Sequence, residues 1–119
     1  MSVGTKHDHH KVRMDLLPPD VEWLIAECLT GGAAEYGDRN WESGMAWSRL
    51  YGALRRHLAA FWGGEDRDTE TDLPHLIHAC CCAMFLSAYY LRNIGDDDRP
   101  TGVCVPRGFH DRRIADGQR

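Results

Sequence analysis

The segment from Leu73 to Arg92 constrains the fold more than any other part of this chain. It carries apolar side chains on almost every side of a helix, and helices of that kind lie at the centre of a bundle. Two earlier segments repeat apolar residues with a helical period. Their positions are Val21, Ile25 and Leu29, and then Trp47, Leu50, Leu54, Leu58 and Phe61. No segment alternates with a period of two, so the sequence predicts an all-α fold, a small three- to four-helix bundle with polar N- and C-terminal tails.

Proline and glycine set the predicted limits of the first two helices. Pro19 suits the first turn of the first helix, where its missing N–H is not needed. The pair Gly31-Gly32 is expected to end or kink that helix. The second helix is predicted from about Met45 to Trp62, before another double glycine.

The third helix is predicted to begin near Leu73, with Asp72 as its N-cap. Polar composition on either side of the helices then divides the chain into three parts. We expect a polar lead at residues 1–15, a helical domain at 16–95 and a polar tail at 96–119.

Composition excludes several classes of protein. The 119 residues suit one domain, and 43% hydrophobic residues support a modest core. The net charge of -4 argues against a coat protein for nucleic acid polymers, whose surfaces are basic. The longest apolar run, Ala79 to Tyr90, is too short to span a bilayer.

Residues 1–13 and the cysteines predict a cytoplasmic location. Residues 1–13 contain no apolar stretch of the kind that a signal peptide needs. The five cysteines are Cys28, Cys80, Cys81, Cys82 and Cys104. Three of them are consecutive in a helical run and cannot form an ordinary disulfide framework, which indicates reduced thiols.

Three histidines on apolar helices are candidate catalytic residues. His75 and His78 lie three apart and therefore share a helix face. His57 lies on the apolar side of the second helix. All three are expected to converge and to orient water, metal or phosphate. The alternative is that they are partly buried histidines, hydrogen-bonded to their neighbours.

The acidic loop between the second and third helices is a candidate metal site. Mg²⁺ takes oxygen ligands and typically binds one or two carboxylates together with substrate phosphates. Glu65, Asp66 and Asp68 are the predicted ligands, because they follow a double glycine that can fold them back. Another divalent metal is an alternative to Mg²⁺, and a solvated connecting loop is an alternative to any site.

Basic and aromatic residues are candidates for substrate binding. Arg49 and Arg56 are seven apart, so they align on one helix face and could bind phosphates. Tyr36 or Trp41 could stack a nucleobase, while Asn40 could read its edge. The alternatives are a solvated basic face and a connecting loop anchored by its two aromatics.

The order and spacing of the motifs resemble a family of small phage and bacterial proteins, the N-terminal domain of dATP/dGTP diphosphohydrolases. That family is similar in kind to the all-α MazG-type nucleoside triphosphate pyrophosphohydrolases. The resemblance runs from about Lys6 to Leu91. It rests on Lys11-x-Arg13-x-Asp15-Leu16-Leu17-Pro18-Pro19, Tyr36-Gly37-Asp38-Arg39-Asn40-Trp41-Glu42-x-Gly44, Trp47-Ser48-Arg49-Leu50, Arg56-His57-Leu58, Gly64-Glu65-Asp66-x-Asp68 and Leu73-Pro74-His75-Leu76-x-His78-Ala79.

The resemblance implies a Mg²⁺-dependent domain that hydrolyses purine deoxynucleoside triphosphates, dATP or dGTP, and releases pyrophosphate. Lys11 and Arg13 would join the two helical arginines in holding phosphates. The expected partner is a nucleoside triphosphate, with no membrane and no nucleic acid polymer, in the host cytoplasm if a phage encodes the chain. A homo-oligomer is left open. A non-catalytic nucleotide-binding or protein-interaction module and a purely structural helical protein are the alternatives.

Overall fold

The computed structural model describes residues 3–102, and three α-helices make up most of this part. They are α1 (Pro19–Tyr36), α2 (Trp47–Trp62) and α3 (His75–Arg92), and single 3-10 turns lie at Met14–Leu16 and Asn40–Ser43. Residues 3–102 contain isolated bridges but no β-strand. The predicted all-α class, a small three- to four-helix bundle, is confirmed.

Helix α3 lies at the centre, as its composition predicts. It packs extensively on α2 and less extensively on α1. The buried apolar residues are Leu50, Ile77, Ala79, Cys81, Cys82 and Tyr89, and all but Leu50 belong to α3. None of the helices in residues 3–102 is both long and apolar enough to cross a bilayer.

The prediction that Gly31-Gly32 ends α1 is wrong, and the alternative of a kink at these glycines stays a prediction. The helix continues through both residues to Tyr36, and it is followed by Gly37, whose φ of 94° is a conformation that favours glycine. The Gly37 N–H donates to the Ala33 carbonyl at 2.8 Å. A glycine inside a helix costs only about 1 kcal/mol relative to alanine, which packing against α3 can offset.

The predicted N-cap of α3 at Asp72 is also wrong. The helix begins at His75, no side chain caps it, and Asp72 has a left-handed φ of 59°. The His75 N–H instead donates to the Asp66 carbonyl at 2.9 Å. A backbone group of the preceding loop therefore satisfies a donor that a capping side chain would otherwise take.

The chain that follows α3 returns to the start of α2. The Trp47 N–H donates to the Asp96 carbonyl at 2.9 Å, and its indole Nε1–H donates to the Ile94 carbonyl at 3.0 Å. The Ser48 N–H and hydroxyl both bind the Asp98 carboxylate, the N–H at 2.9 Å. Residues 96–98, placed in the predicted tail, thus hold the beginning of α2, while the tail from residue 103 lies outside the described residues.

Candidate functional site

His57, His75 and His78 meet where the second half of α2 faces the first turn of α3. The Nδ1 atoms of His57 and His75 are 2.9 Å apart. The ring of His57 stacks on that of His78, with centroids 4.7 Å apart and an interplanar angle of 9°. The structure therefore brings together the three histidines that the sequence singles out, and their catalytic role stays a prediction.

The loop between α2 and α3 folds back onto both helices. The Glu65 N–H donates to the Ala60 carbonyl at 3.0 Å, near the end of α2. The Asp68 N–H donates to the Leu73 carbonyl at 2.9 Å, which closes the loop just before α3. These backbone bonds bring acidic side chains of the loop next to the histidines.

Asp68 is held by hydrogen bonds from its own loop. Its Oδ2 accepts from the Glu70 N–H at 3.1 Å, from the Thr71 N–H at 3.0 Å and from the Thr71 hydroxyl at 3.1 Å. Partial burial acts to raise the pKa of Asp68, but these hydrogen bonds outweigh it and lower the pKa below its usual range. The carboxylate is therefore ionised at neutral pH.

Asp68 joins two of the histidines in a compact group of potential ligand atoms. One such atom from each of His57, Asp68 and His75 lies within 4.8 Å of the others. Two imidazole nitrogens and a carboxylate oxygen are a set that divalent transition metals bind. The cluster of His57, Asp68 and His75 is accordingly the candidate metal centre.

Glu65 fixes the orientation of the buried His75 ring. Its Oε1 lies 2.7 Å from His75 Nε2. An ionised carboxylate only accepts hydrogen bonds, so Nε2–H of His75 donates and a neutral ring keeps its lone pair on Nδ1, facing His57. A carboxylate behind a histidine in this way is the usual support for a metal-ligating imidazole.

The surroundings of His57 favour its neutral form. Desolvation is the largest cause that lowers its pKa, followed by the nearby imidazoles of His78 and His75 and by the Arg56 charge, while Asp68 opposes them. A metal binds the neutral form of imidazole. The environment of His57 therefore suits a ligand.

Both ring nitrogens of His78 have partners within the protein. Its Nε2 lies 2.7 Å from Thr71 Oγ1, and its Nδ1 lies 3.4 Å from Cys28 Sγ on α1. The sequence analysis named neither partner. The spacing Asp68-x-x-Thr71 is a local turn pattern that could have indicated Thr71. No sequence signal connects Cys28 to a histidine 50 residues later.

The predicted phosphate-binding residues differ in how close they lie to the histidines. Arg56 precedes His57, and its positive charge adds to desolvation and the neighbouring imidazoles in lowering the pKa of His57. Arg49 is exposed about two turns earlier on α2. The Arg13 guanidinium donates two hydrogen bonds to the Asp15 carboxylate, at 3.0 and 2.6 Å. Lys11 is exposed in the same lead.

The predicted base-binding residues differ in their surroundings. Trp41 stacks on Phe85 with ring centroids 4.5 Å apart, and the Arg92 guanidinium lies 5.7 Å from its ring. Phe85 is ten residues beyond His75, or about 15 Å further along α3. Tyr36 and Asn40 are exposed. Trp41 therefore anchors its loop on α3, and a role for these residues in base recognition stays a prediction.

The other predicted metal ligands lie around the cluster. Glu65 contacts His75, as described above, and Asp66 contributes its backbone carbonyl to the first turn of α3. The Asp66 side chain is exposed and lies outside the cluster of three. Metal binding by Glu65 and Asp66 stays a prediction.

Comparison with known proteins supports the resemblance drawn from the motifs. A curated dATP/dGTP diphosphohydrolase of Salmonella phage PMBT28 is 33% identical over 110 residues, which cover 92% of this chain and 37% of that relative. The chain thus spans little more than a third of the relative's length. No solved structure matches the chain. The family described as "dATP/dGTP diphosphohydrolase, N-terminal" matches residues 1–99. Because that match covers most of the sequence, the chain belongs to this family.

Proposed function

We propose that this chain is a nucleotide hydrolase domain that acts on dATP and dGTP and releases pyrophosphate with the help of a divalent metal. The observation that carries the proposal is the cluster of His57, Asp68 and His75, with ligand atoms within 4.8 Å of one another. The name of the phage relative supports the substrate class. A cytoplasmic nucleotide pool, that of the host for a phage protein, would supply the substrate.

The donor set of the cluster bears on the identity of the metal. Mg²⁺ prefers oxygen ligands, whereas imidazole nitrogens suit ions such as Mn²⁺, Co²⁺ and Zn²⁺. Two adjacent nitrogens bound at about 2.1 Å to one octahedral ion are roughly 3 Å apart, and the Nδ1 atoms of His57 and His75 are 2.9 Å apart. The residues therefore fit a divalent transition metal, and Mg²⁺ remains the alternative.

Each residue of the site has a proposed task. A bound metal would supply Lewis-acid chemistry and a more acidic water molecule. His57, His75 and Asp68 would hold it, and Glu65 would keep the His75 ring in place. Arg56, exposed next to His57, would bind the phosphates. Lys11, Arg13, Arg49, Tyr36, Asn40 and Trp41 remain proposed contacts for the outer phosphates and the base.

A non-catalytic nucleotide-binding module is the second candidate. The observation in its favour is that the chain corresponds to only 37% of the phage relative. In that case the domain would bind metal and nucleotide, and residues that correspond to the rest of the relative would be needed for turnover.

Product analysis separates these functions. The protein is incubated with each of the four dNTPs together with Mn²⁺, Co²⁺, Zn²⁺, Mg²⁺ or EDTA, and monophosphate, diphosphate, pyrophosphate and phosphate are resolved. We expect monophosphate and pyrophosphate from dATP and dGTP, with loss of both in EDTA and in Asp68→Asn. His10→Gln, in the exposed lead, is the matched control and should retain activity.

The contrary outcomes are distinct. Nucleotide binding without turnover under every metal condition would favour the binding module. Absence of both metal binding and nucleotide binding would overturn the proposed function.

A further inference from the structure

We infer that Cys28, His78 and Thr71 form a directed chain of hydrogen bonds that positions the Asp68 carboxylate, and that all three are positioning residues. The inference deepens the proposed function, since it concerns the carboxylate assigned there to the metal. It also gives His78 a different task from the catalytic one that the sequence suggests. Three parts of the fold take part, because Cys28 lies on α1, His78 on α3, and Thr71 and Asp68 in the loop between α2 and α3.

The contacts form an unbroken series. Cys28 Sγ is 3.4 Å from His78 Nδ1, His78 Nε2 is 2.7 Å from Thr71 Oγ1, and Thr71 Oγ1 is 3.1 Å from Asp68 Oδ2. The Leu73 N–H also donates to Thr71 Oγ1, at 3.3 Å. His78 and Thr71 are thus the two inner groups that connect Cys28 to Asp68.

The chemistry of these groups gives the chain one direction. An ionised Asp68 only accepts hydrogen bonds, so the single hydroxyl hydrogen of Thr71 is directed to it. The two lone pairs of Thr71 Oγ1 then accept from Leu73 N–H and from His78 Nε2–H. A neutral His78 with hydrogen on Nε2 has its lone pair on Nδ1, which accepts from the Cys28 S–H. Every hydrogen and lone pair of the Thr71 hydroxyl is used once in this arrangement.

The direction matters for the candidate metal centre. The Thr71 hydroxyl and two backbone N–H groups all bind Oδ2 of Asp68. None of residues 3–102 donates a hydrogen bond to Oδ1, so that oxygen remains available to a cation. The same His78 ring stacks on His57 at 4.7 Å. His78 therefore supports Asp68 indirectly, through its hydrogen bond with Thr71, and His57 directly, through packing.

The test uses Mn²⁺ as the probe and two substitutions of one residue. Thr71→Val removes the hydroxyl with little change of shape, whereas Thr71→Ser keeps it. Thr69→Val changes an exposed threonine of the same loop and is the control. By titration calorimetry we expect Thr71→Val to weaken Mn²⁺ binding about 10- to 100-fold, the usual effect of removing a group that supports a ligand. Thr71→Ser should stay within about threefold of the wild type, and Thr69→Val should be unchanged.

A second measurement needs no metal. Nitrogen-15 NMR of the histidine rings distinguishes hydrogen on Nε2 from hydrogen on Nδ1. We expect the Nε2–H form for His78 in the wild type and in Thr71→Ser, and a mixture of both forms in Thr71→Val. Cys28→Ala should shift the same equilibrium and provides a second variant if Thr71→Val does not fold.

The outcomes separate this inference from the proposed function. Wild-type Mn²⁺ affinity in folded Thr71→Val, or the Nδ1–H form of His78 in the wild type, would overturn the inference. If the wild type binds no divalent metal, the proposed function fails, and the NMR result alone decides whether the hydrogen-bond chain exists.

Discussion

The pairing of Glu65 with His75 shows how one contact changes the interpretation of a residue. From the sequence, Glu65 is one of three acids that could bind a metal directly. In the structure its carboxylate accepts a hydrogen bond from the buried His75, with Oε1 and Nε2 2.7 Å apart. The residue that holds His75 in place comes ten positions earlier in the chain, from a loop whose folded path the sequence does not reveal.

We expect substitutions of Glu65 to weaken metal binding in graded steps. Glu65→Gln keeps an oxygen that can accept from His75 and should weaken Mn²⁺ binding by less than about tenfold. Glu65→Ala removes the partner and should weaken it about 10- to 100-fold. Glu70→Ala, an exposed acid of the same loop, is the control and should bind like the wild type. Titration calorimetry measures all three, and equal affinity in Glu65→Ala and Glu70→Ala would contradict the role of Glu65.

At the residue scale the sequence predicts which side chains share a face but not which partners they find. The three-residue spacing places His75 and His78 together, and the apolar period of α2 directs His57 towards α3. Cys28 is different, because its contact with His78 joins two helices and depends on how α1 packs on α3. Periodicity within one helix carries no information about that contact.

At the scale of elements, α1 shows where local propensity is a weak guide. Two consecutive glycines resemble a helix end, yet the helix continues for four residues beyond Gly32. The residue that ends it, Gly37, has a φ of 94°. The sequence contains several glycines near this point, and only the backbone conformation shows which one is needed.

Two alanine substitutions in this helix should have opposite effects on stability. A Cβ atom added at Gly31 would meet nothing within 4 Å. We therefore expect Gly31→Ala to raise the free energy of unfolding by about 0.4–1 kcal/mol, because alanine loses less chain entropy on folding. Gly37→Ala should lower it by about 1–3 kcal/mol, because its backbone conformation is strained for any residue with a Cβ atom. Urea denaturation measures both, and a stabilised Gly37→Ala would contradict the helix end described here.

At the scale of the whole molecule, the sequence predicts the fold class and the family but not the long-range contacts. The all-α class follows from periodicity, and the family follows from the order of the motifs; both are confirmed. The connection from the end of α3 back to α2 was not predicted, because Asp98 reaches Ser48 across 50 residues. Long-range contacts of this kind depend on packing rather than on local sequence.

Several large apolar side chains of the described part are mostly exposed. Trp23, Trp62, Tyr90 and Leu91 are each at least 70% exposed. A groove of about 660 Å³ runs along α2 and α3 away from the histidines, and its lining includes Trp47, Ser48, Tyr51, Leu86, Ser87, Tyr90, Leu91, Asp98, Arg99 and Pro100. Exposed apolar patches on soluble proteins commonly mark interaction surfaces.

A homo-oligomer stays a prediction, and this groove is the surface of the described part that we expect a second copy of the chain to use. Tyr90→Glu places a charge in the apolar groove and should shift the protein towards monomer in sedimentation velocity experiments at micromolar concentration. Thr69→Glu adds the same charge to an exposed loop and should leave the distribution unchanged. A wild type that stays monomeric across a hundredfold range of concentration would contradict self-association, and association that persists in Tyr90→Glu would assign it to another surface. Because the groove lies away from His57 and His75, Tyr90→Glu should bind Mn²⁺ with an affinity similar to that of the wild type.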